Sequence, residues 1–233
     1  MNAYALSMTD APLPNAPVAD APCPRCAKSA ALCVCADIPE PIDTKIALLI
    51  LQHPQEQEVE LGTARLAAAH FKKAAVKVGL SWPSLGKLLG RVADPKRWAV
   101  LYLGSAKGGD LLPGQEVVAL NRKGTGPAPD QEAAFAGLEG IIVLDGTWSQ
   151  AKALWWRNAW MLKTQRVALN PKRPSRYGKL RKEPRKDSLS TLEAAALLLS
   201  RLERKPEIET VLLASFEKML SRYRSFKALS KDS

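Results

Sequence analysis

The sequence predicts an α/β domain, because apolar strands alternate with amphipathic helices along most of its length. The clearest strand lies at residues 140–144, where an Ile-Ile-Val-Leu run shows no polar alternation. Continuous apolar strands of this kind are usually buried on both faces, as in parallel sheets. A second such strand at residues 45–52 and a long amphipathic helix at 189–204 support the same fold class.

The remaining elements follow from the same hydrophobic periodicity, with a Gly- and Pro-containing loop between two of them. Further strands are predicted at residues 76–80, 98–103, 116–120 and 166–169. Further helices are predicted at residues 59–73, 149–162 and 207–226.

The chain divides into three segments by composition. Residues 1–22 are rich in Ala, Pro, Asp and Asn and have no hydrophobic period, so we expect a disordered tail. A cysteine-containing segment follows at residues 23–40. Residues 41–233 form one domain that ends in a helix, and the total of 233 residues suits a single sizeable domain.

The net charge favours a polyanionic partner. The chain has 34 Lys and Arg against 23 Asp and Glu, a formal net charge of +11, and a basic surface attracts phosphates. A basic protein that binds no nucleic acid is the alternative. No apolar run approaches the roughly 20 residues of a membrane span, and the N-terminus does not resemble a secretory signal. We therefore expect a cytoplasmic protein with reduced thiols and no membrane partner.

All four cysteines fall within a window of 13 residues: Cys23, Cys26, Cys33 and Cys35. Zinc binds four such soft ligands in a tetrahedron, and closely spaced cysteines supply them at little cost in chain entropy. Two disulfides are the alternative, which the expected reducing compartment disfavours. The cluster predicts a structural Zn²⁺ that braces the fold and takes no part in chemistry, since four protein ligands close its coordination shell.

A polar turn, Asp145-Gly146-Thr147-Trp148, lies where the most apolar strand ends and a helix begins. Ligands of open α/β sheets bind at the carboxyl ends of strands, and helix starts offer free backbone N–H groups. A glycine there permits close approach of a ligand to the backbone. The alternative is ordinary helix capping by Asp145 or Thr147, with Trp148 in the core.

The wider sequence resembles the DTW-domain family over roughly residues 23–204. Residues 145–152, Asp-Gly-Thr-Trp-Ser-Gln-Ala-Lys, resemble the motif that names the family. The cysteine cluster precedes the domain as in bacterial members, and Gln52-His53-Pro54-Gln55-Glu56 with Thr63 and Arg65 looks like the family's His-Pro-x-Glu segment. Three further stretches resemble the family's C-terminal block: Ser175-Arg176-Tyr177, Leu180-Arg181-Lys182 and Ser190-Thr191-Leu192-Glu193-Ala194.

The resemblance implies a tRNA-uridine aminocarboxypropyltransferase that uses S-adenosylmethionine and is related in fold to the knotted SPOUT methyltransferases. It implies a sheet with helices on both faces and a C-terminal trefoil knot, so that residues 41–233 would be the catalytic domain. Three loops would form the adenosylmethionine pocket: Leu103, Gly104 and Ser105; Leu144, Gly146, Thr147 and Trp148; and Leu189, Ser190, Thr191 and Glu193.

The implied reaction needs a carboxylate, because the N3–H of uridine is a weak acid. Asp145 is the candidate as general base or as the group that positions the uridine. A carboxylate near the sulfonium would also stabilise its positive charge. The sequence leaves these roles open.

A basic segment offers a site for the tRNA. Ten Lys and Arg lie between Lys163 and Lys186, opposed by Glu183 alone. Prolines indicate a loop, in which basic side chains beside an aromatic ring suit unpaired nucleotides. A solvated charge run is the alternative. The candidate RNA-binding residues are Arg173, Arg176, Tyr177, Lys179, Arg181 and Lys182.

Two other functions remain open from the sequence. The first is a SPOUT-like RNA methyltransferase, which the mass of the product would reveal. The second is a zinc-containing RNA-binding protein without catalysis, which adenosylmethionine binding would exclude. The oligomeric state and the identity of the tRNA and its uridine also remain open.

Overall fold

A computed structural model describes residues 21–101, 111–180 and 188–229 of the chain. Six strands form one sheet in the order β2-β1-β5-β3-β6-β4. The strands are β1 Ala47–Gln52, β2 Ala74–Val78, β3 Trp98–Leu101, β4 Val117–Leu120, β5 Gly140–Asp145 and β6 Gln165–Leu169. All neighbours pair in parallel except β4, which runs antiparallel to β6 at the edge of the sheet.

Six α-helices connect or cover these strands within the described ranges. They are α1 Ala64–Ala68, α2 Leu85–Leu89, α3 Gln131–Phe135, α4 Trp148–Arg157, α5 Thr191–Glu203 and α6 Pro206–Leu229. Single 3-10 turns occupy Cys35–Asp37, Pro54–Glu56, Pro95–Arg97 and Ala159–Lys163.

The sheet carries helices on both faces, as expected. Alternate residues of a strand point to opposite faces, and in β1 Leu48 and Ile50 pack in the cluster that contains α1, α5 and α6. Leu49 and Leu51 instead pack with α2 and the turn Ala159–Lys163. Burial on both sides explains why β1 and β5 are continuously apolar.

The structure confirms an α/β fold and all six predicted strands. Of the four predicted helices, three lie where expected, and the helix predicted at residues 59–73 is shorter. It covers only Ala64–Ala68, because turns precede it and the chain leaves it at His70 to pair Phe71 with Ile42 beside the sheet. The helices α2 and α3 were missed, since five residues are too few for a periodic pattern.

The trefoil knot and the relationship to SPOUT enzymes stay predictions. The disordered tail falls almost wholly outside the described residues. Within the described part of the chain, no helix is both long and apolar enough to cross a membrane.

Candidate active site

The ends of two neighbouring parallel strands build the corner around Asp145. Gln52, the last residue of β1, lies in register with Asp145, the last residue of β5. The backbone continues this pairing, since the N–H of His53 donates to the carbonyl of Asp145 at 2.9 Å. The carboxyl edge of the sheet therefore brings two polar side chains together, where α/β proteins place their ligands.

The Asp145 carboxylate is buried and accepts hydrogen bonds from two sides. Gln52 Nε2 donates to Oδ2 at 2.9 Å, and the hydroxyl of Thr191 donates to Oδ1 through a short bond. Asp145 is 7% exposed and Gln52 4%. The Thr191 bond lies on the more accessible side, because Thr191 itself is half-buried. Asp145 thus joins β1, β5 and the start of α5.

Gln52 is a further site residue, which the sequence places in the stretch that resembles the His-Pro-x-Glu segment but does not predict beside Asp145. Its Nε2 is committed to the carboxylate, which fixes the orientation of the amide, and its Oε1 is buried without a hydrogen-bond partner. A buried acceptor left unpaired costs about 1–3 kcal/mol. The available signal was a polar residue that ends an otherwise apolar strand, the same pattern that drew attention to Asp145.

The turn after Asp145 combines helix capping with a tight backbone approach. Thr147 caps α4 in a capping box, in which its N–H donates to Gln150 Oε1 at 2.6 Å and its hydroxyl accepts from the N–H of Gln150. Capping by Thr147 is confirmed, whereas Asp145 bonds elsewhere. A Cβ on Gly146 would lie 2.8 Å from the Cβ of Gln150, so a side chain does not fit there. Trp148 is half-buried and Leu144 packs at the edge of the core.

The start of α5 is held by a second capping box. Ser190 caps the helix, and Glu193 Oε2 accepts from the backbone N–H of Ser190 at 2.9 Å. The carboxylate of Glu193 also accepts from Ser175 Oγ and from the N–H of Arg176, each at 2.7 Å. Its oxygens therefore fasten the segment before α5 to the helix start.

Residues predicted for the cofactor lie on two sides of α5. Thr191 faces Asp145, whereas Leu189 and Glu193 line a cavity of ≈ 670 Å³ between residues 171–176, α5 and α6. The same cavity is lined by Arg173 and Arg176. The structure thus brings two predicted cofactor residues beside two predicted RNA-binding residues. Leu103, Gly104 and Ser105 lie outside the described residues.

Tyr177 does not offer a base-stacking surface, which corrects the prediction for this residue. Its side chain is 2% exposed, its hydroxyl donates to the carbonyl of Leu61 at 2.6 Å, and its ring meets Phe216 edge-on at 5.0 Å. Burial of the apolar ring in the core stabilises the fold, and this outweighs the tendency of a residue among charged neighbours to lie at the surface.

The remaining basic residues differ in their surroundings. Arg176 pairs with Glu217 at 3.1 Å and is partly engaged. Arg173 and Lys179 are exposed. Arg181 and Lys182 lie outside the described residues.

The four cysteine sulfurs form one compact group. They all lie within 4.8 Å of one another, and Cys26 Sγ and Cys33 Sγ are 3.7 Å apart. A disulfide needs about 2.05 Å between sulfurs, whereas tetrahedral zinc with Zn–S bonds of about 2.3 Å separates them by about 3.8 Å. The spacing fits a tetrahedral metal site and disagrees with disulfides.

Burial and hydrogen bonding shift the thiol pKa values of this cluster in different directions. Burial raises the pKa of Cys26 to about 11 and raises the pKa of Cys35 further. Burial also acts on Cys23, but hydrogen bonds from the backbone of Cys26 and Arg25 lower its pKa to about 6. Four thiols this close do not ionise together readily, because their thiolates repel one another. A bound dication would offset that repulsion.

The cysteine segment is fastened to α6. Lys218 and Arg222 both pair with Asp37, at 2.6 Å and 3.4 Å, and Arg222 also donates to the carbonyl of Cys33. Cys26 and Cys35 belong to the same hydrophobic cluster as α5 and α6. The segment is therefore packed on the core of the domain.

Comparison with known proteins identifies the family. The model of the DTW domain matches residues 20–224. The chain is 32% identical over 202 residues to tRNA-uridine aminocarboxypropyltransferase 2 of Macaca fascicularis and 30% identical over 203 residues to the Mus musculus protein of that name. Each alignment covers 85% of this chain and 62% of the relative.

A third relative is the tRNA-uridine aminocarboxypropyltransferase 2 of Drosophila melanogaster, 30% identical over 196 residues, or 82% of this chain and 70% of that protein. The chain thus spans less than two thirds of the two mammalian relatives. No solved structure matches it. The match over most of the sequence shows that the chain belongs to the DTW domain family.

Proposed function

We propose that this protein transfers the 3-amino-3-carboxypropyl group of S-adenosylmethionine to N3 of a uridine in tRNA, forming acp3U. Three relatives that carry this activity in their names support the proposal. The observation that carries it in this chain is the corner at the end of β5, where Asp145 is held between Gln52 and Thr191.

The reaction forms a bond between uridine N3 and the terminal carbon of the aminocarboxypropyl chain, while the bond from that carbon to sulfur breaks. The electron pair leaves with sulfur as 5′-methylthioadenosine. The N3 proton goes to the Asp145 carboxylate if Asp145 is the base, or to water if Asp145 only orients the uridine. Three carbons surround the sulfonium, so the positioning of the donor decides which one reacts. A methyltransferase would differ only in that positioning.

Asp145 is the proposed acceptor or orienting group for the N3–H. Its Oδ2 is occupied by Gln52 in the buried part of the corner. Its Oδ1 is bound by the Thr191 hydroxyl, which can rotate away and donate elsewhere. We therefore propose that the uridine N3–H replaces Thr191 at Oδ1, while Gln52 keeps the carboxylate in place.

The donor would bind along the edge formed by the ends of β3 and β5 and the start of α5. Leu144, Gly146, Thr147 and Trp148 supply the turn after β5, and Ser190 and Thr191 supply the helix start. Gly146 suits this role because its backbone is not shielded by a side chain. The predicted loop at residues 103–105 would follow β3, which neighbours β5 in the sheet.

The surfaces around this corner suit a nucleic acid. Arg173 and Lys179 are exposed cations, and Arg173 and Arg176 line the cavity beside Leu189 and Glu193 at the start of α5. We propose that these residues contact tRNA phosphates, with Arg181 and Lys182 from the neighbouring segment. We also propose that the protein has a knotted SPOUT-like fold, binds RNA and is located in the cytoplasm.

We also propose that Cys23, Cys26, Cys33 and Cys35 hold a structural Zn²⁺. The spacing of the four sulfurs supports this. Because all four coordination positions would be filled by protein, the ion would fix the cysteine segment on α6 and contribute nothing to the transfer.

The test is mass spectrometry of nucleosides from unmodified tRNA incubated with the protein and adenosylmethionine. We expect a uridine heavier by an aminocarboxypropyl group. A uridine heavier by a methyl group would replace the proposal with the methyltransferase. An unchanged nucleoside pattern, together with no calorimetric binding of adenosylmethionine, would favour an RNA-binding protein without catalysis.

A further inference from the structure

Trp156 is far more exposed to solvent than the other tryptophans of the chain. All six tryptophans lie in the described ranges, and five are buried or half-buried. Trp98 and Trp160 are 1% and 8% exposed, whereas Trp156 is 77% exposed. A large aromatic ring left in water forgoes the burial that usually stabilises it. Such exposure is informative when the surroundings indicate what would cover the ring.

The ring lies on the solvent face of α4, in line with the candidate active site. Ser149, Lys152 and Trp156 are spaced i, i+3 and i+7, so they share one face. The opposite face of the helix is buried through Ala151 and Leu154. The helix begins at Trp148, directly after the Asp145 corner, and Trp156 follows about 12 Å further along the axis at a rise of 1.5 Å per residue.

Charge around this face is mostly positive, with Asp94, which caps the turn Pro95–Arg97, as an acidic exception. Residues 146–182 contain no Asp or Glu and ten Lys or Arg. Lys152 and Arg157 on α4 are exposed, as is Lys163 in the turn that follows. The turn Pro95–Arg97 packs against that region and adds the exposed Lys96. The partner that complements a flat apolar ring among cations has planar faces and negative charge.

We propose that the Ser149–Lys152–Trp156 face of α4 is a docking surface for the tRNA, on which an unpaired base beside the target uridine stacks on Trp156. Lys152 contacts the phosphate of the stacked nucleotide. The inference rests on the proposed function for the identity of the RNA, but stacking itself does not require catalysis. Base stacking on an aromatic side chain tolerates any base, so it would position the strand without selecting a sequence.

A second copy of the chain is the other occupant to consider. A twofold contact through this face would bring Lys152 and Arg157 of one copy towards the same residues of the other, and like charges at close range disfavour that contact. Charge complementarity therefore favours RNA over self-association.

Binding of an unmodified tRNA transcript without adenosylmethionine tests the inference directly. We expect Trp156→Ala and Trp156→Leu to raise Kd about tenfold, the effect of losing one stacked base. Trp156→Phe should stay within about twofold of the unsubstituted protein, because a phenyl ring also stacks. Lys152→Ala should lower the slope of log K against log salt by about one phosphate contact. Phe226→Ala, which removes an exposed aromatic ring from α6, is the matched control and should leave Kd unchanged.

Several outcomes would overturn the inference. These are an unchanged Kd for Trp156→Ala, an equal loss for the Phe and Leu variants, and a dimer in sedimentation that Trp156→Ala converts to monomer. The exposed ring contributes little to folding, so an unchanged melting temperature would confirm that the variants are folded.

Turnover separates this inference from the proposed function. If the enzyme forms acp3U, Trp156→Ala should raise KM for tRNA about tenfold and leave kcat unchanged. If no acp3U forms but Trp156→Ala still weakens tRNA binding, the docking surface stands and the proposed reaction falls. If acp3U forms normally and tRNA binds the variant unchanged, the proposed reaction stands and the docking surface falls.

Discussion

Replacement of Asp145 by asparagine should abolish transfer of the aminocarboxypropyl group, because the variant lacks the carboxylate. It should cost little stability, because an amide can keep the hydrogen bonds around this position. The amide oxygen can keep the hydrogen bond from Thr191. The amide nitrogen would face Gln52, whose Oε1 has no partner in the native structure. A flip of the Gln52 amide would then supply an acceptor for the new donor.

The alanine variant lacks this compensation. Asp145→Ala would leave Gln52 Nε2 and the Thr191 hydroxyl without their acceptor. A buried donor left unpaired costs about 1–3 kcal/mol, and Thr191 is less buried than Gln52, so we expect a loss of about 2–4 kcal/mol. For a chain of this size that corresponds to a fall in melting temperature of about 4–16 °C. The asparagine variant should lose about 1 kcal/mol or less.

The assay combines thermal unfolding with single-turnover formation of acp3U at saturating adenosylmethionine. Loss of a general base or of the group that orients the nucleophile should lower the rate by about 10²–10⁴-fold. Thr191→Val is the matched control, since it removes the second hydrogen bond and keeps the carboxylate and the shape of the side chain. Because Thr191 also belongs to the proposed donor site, we expect Thr191→Val to raise KM for adenosylmethionine but to retain most of its turnover when the donor is saturating. Near-normal acp3U formation by Asp145→Asn would refute the role assigned to Asp145, and equal destabilisation by Asn and Ala would refute the role assigned to Gln52.

Three further predictions concern other parts of the molecule. Elemental analysis should find a single zinc ion per chain, and Cys26→Ser should lose the ion and lower the melting temperature; a metal-free protein that melts like the metal-loaded one would contradict this. Burial lowers the pKa of His70 below its usual 6.5, so the unfolded chain binds the extra proton and stability should fall as pH drops below about 6.5. His70→Gln should remove that part of the pH dependence of denaturant unfolding. An unchanged pH profile for the variant would count against this prediction. Gly146→Ala should weaken adenosylmethionine binding measured by calorimetry, because its Cβ would lie 2.8 Å from Gln150 Cβ; unchanged affinity would show that the donor does not approach this turn.

The parts of the fold with strong local signals could be predicted from the sequence. The strands β1 and β5 are continuously apolar because both faces are covered, and their length of six residues suits a strand better than a helix. The helix α5 has a capping box, Ser190 with Glu193, followed by a long apolar face. The helices α2 and α3 have five residues each, so no period could develop, and their positions depend on tertiary contacts.

The candidate site was predicted in part. Asp145 lies at a strand end as expected, but its partners Gln52 and Thr191 are distant in the sequence, and only the parallel register of β1 and β5 brings Gln52 beside it. Tyr177 was expected at the surface because cations surround it in the sequence. Its burial depends on Phe216 in α6, a contact that no local pattern indicates.

The proposed reaction differs from methylation in which carbon of adenosylmethionine is transferred. The most direct measurement uses a donor labelled with one isotope in the carboxyl group and another in the methyl group, followed by isolation of the tRNA. The proposed reaction predicts the carboxyl label in tRNA uridine and the methyl label in methylthioadenosine. Methyl label in the tRNA with the carboxyl label left in the small-molecule fraction would contradict it.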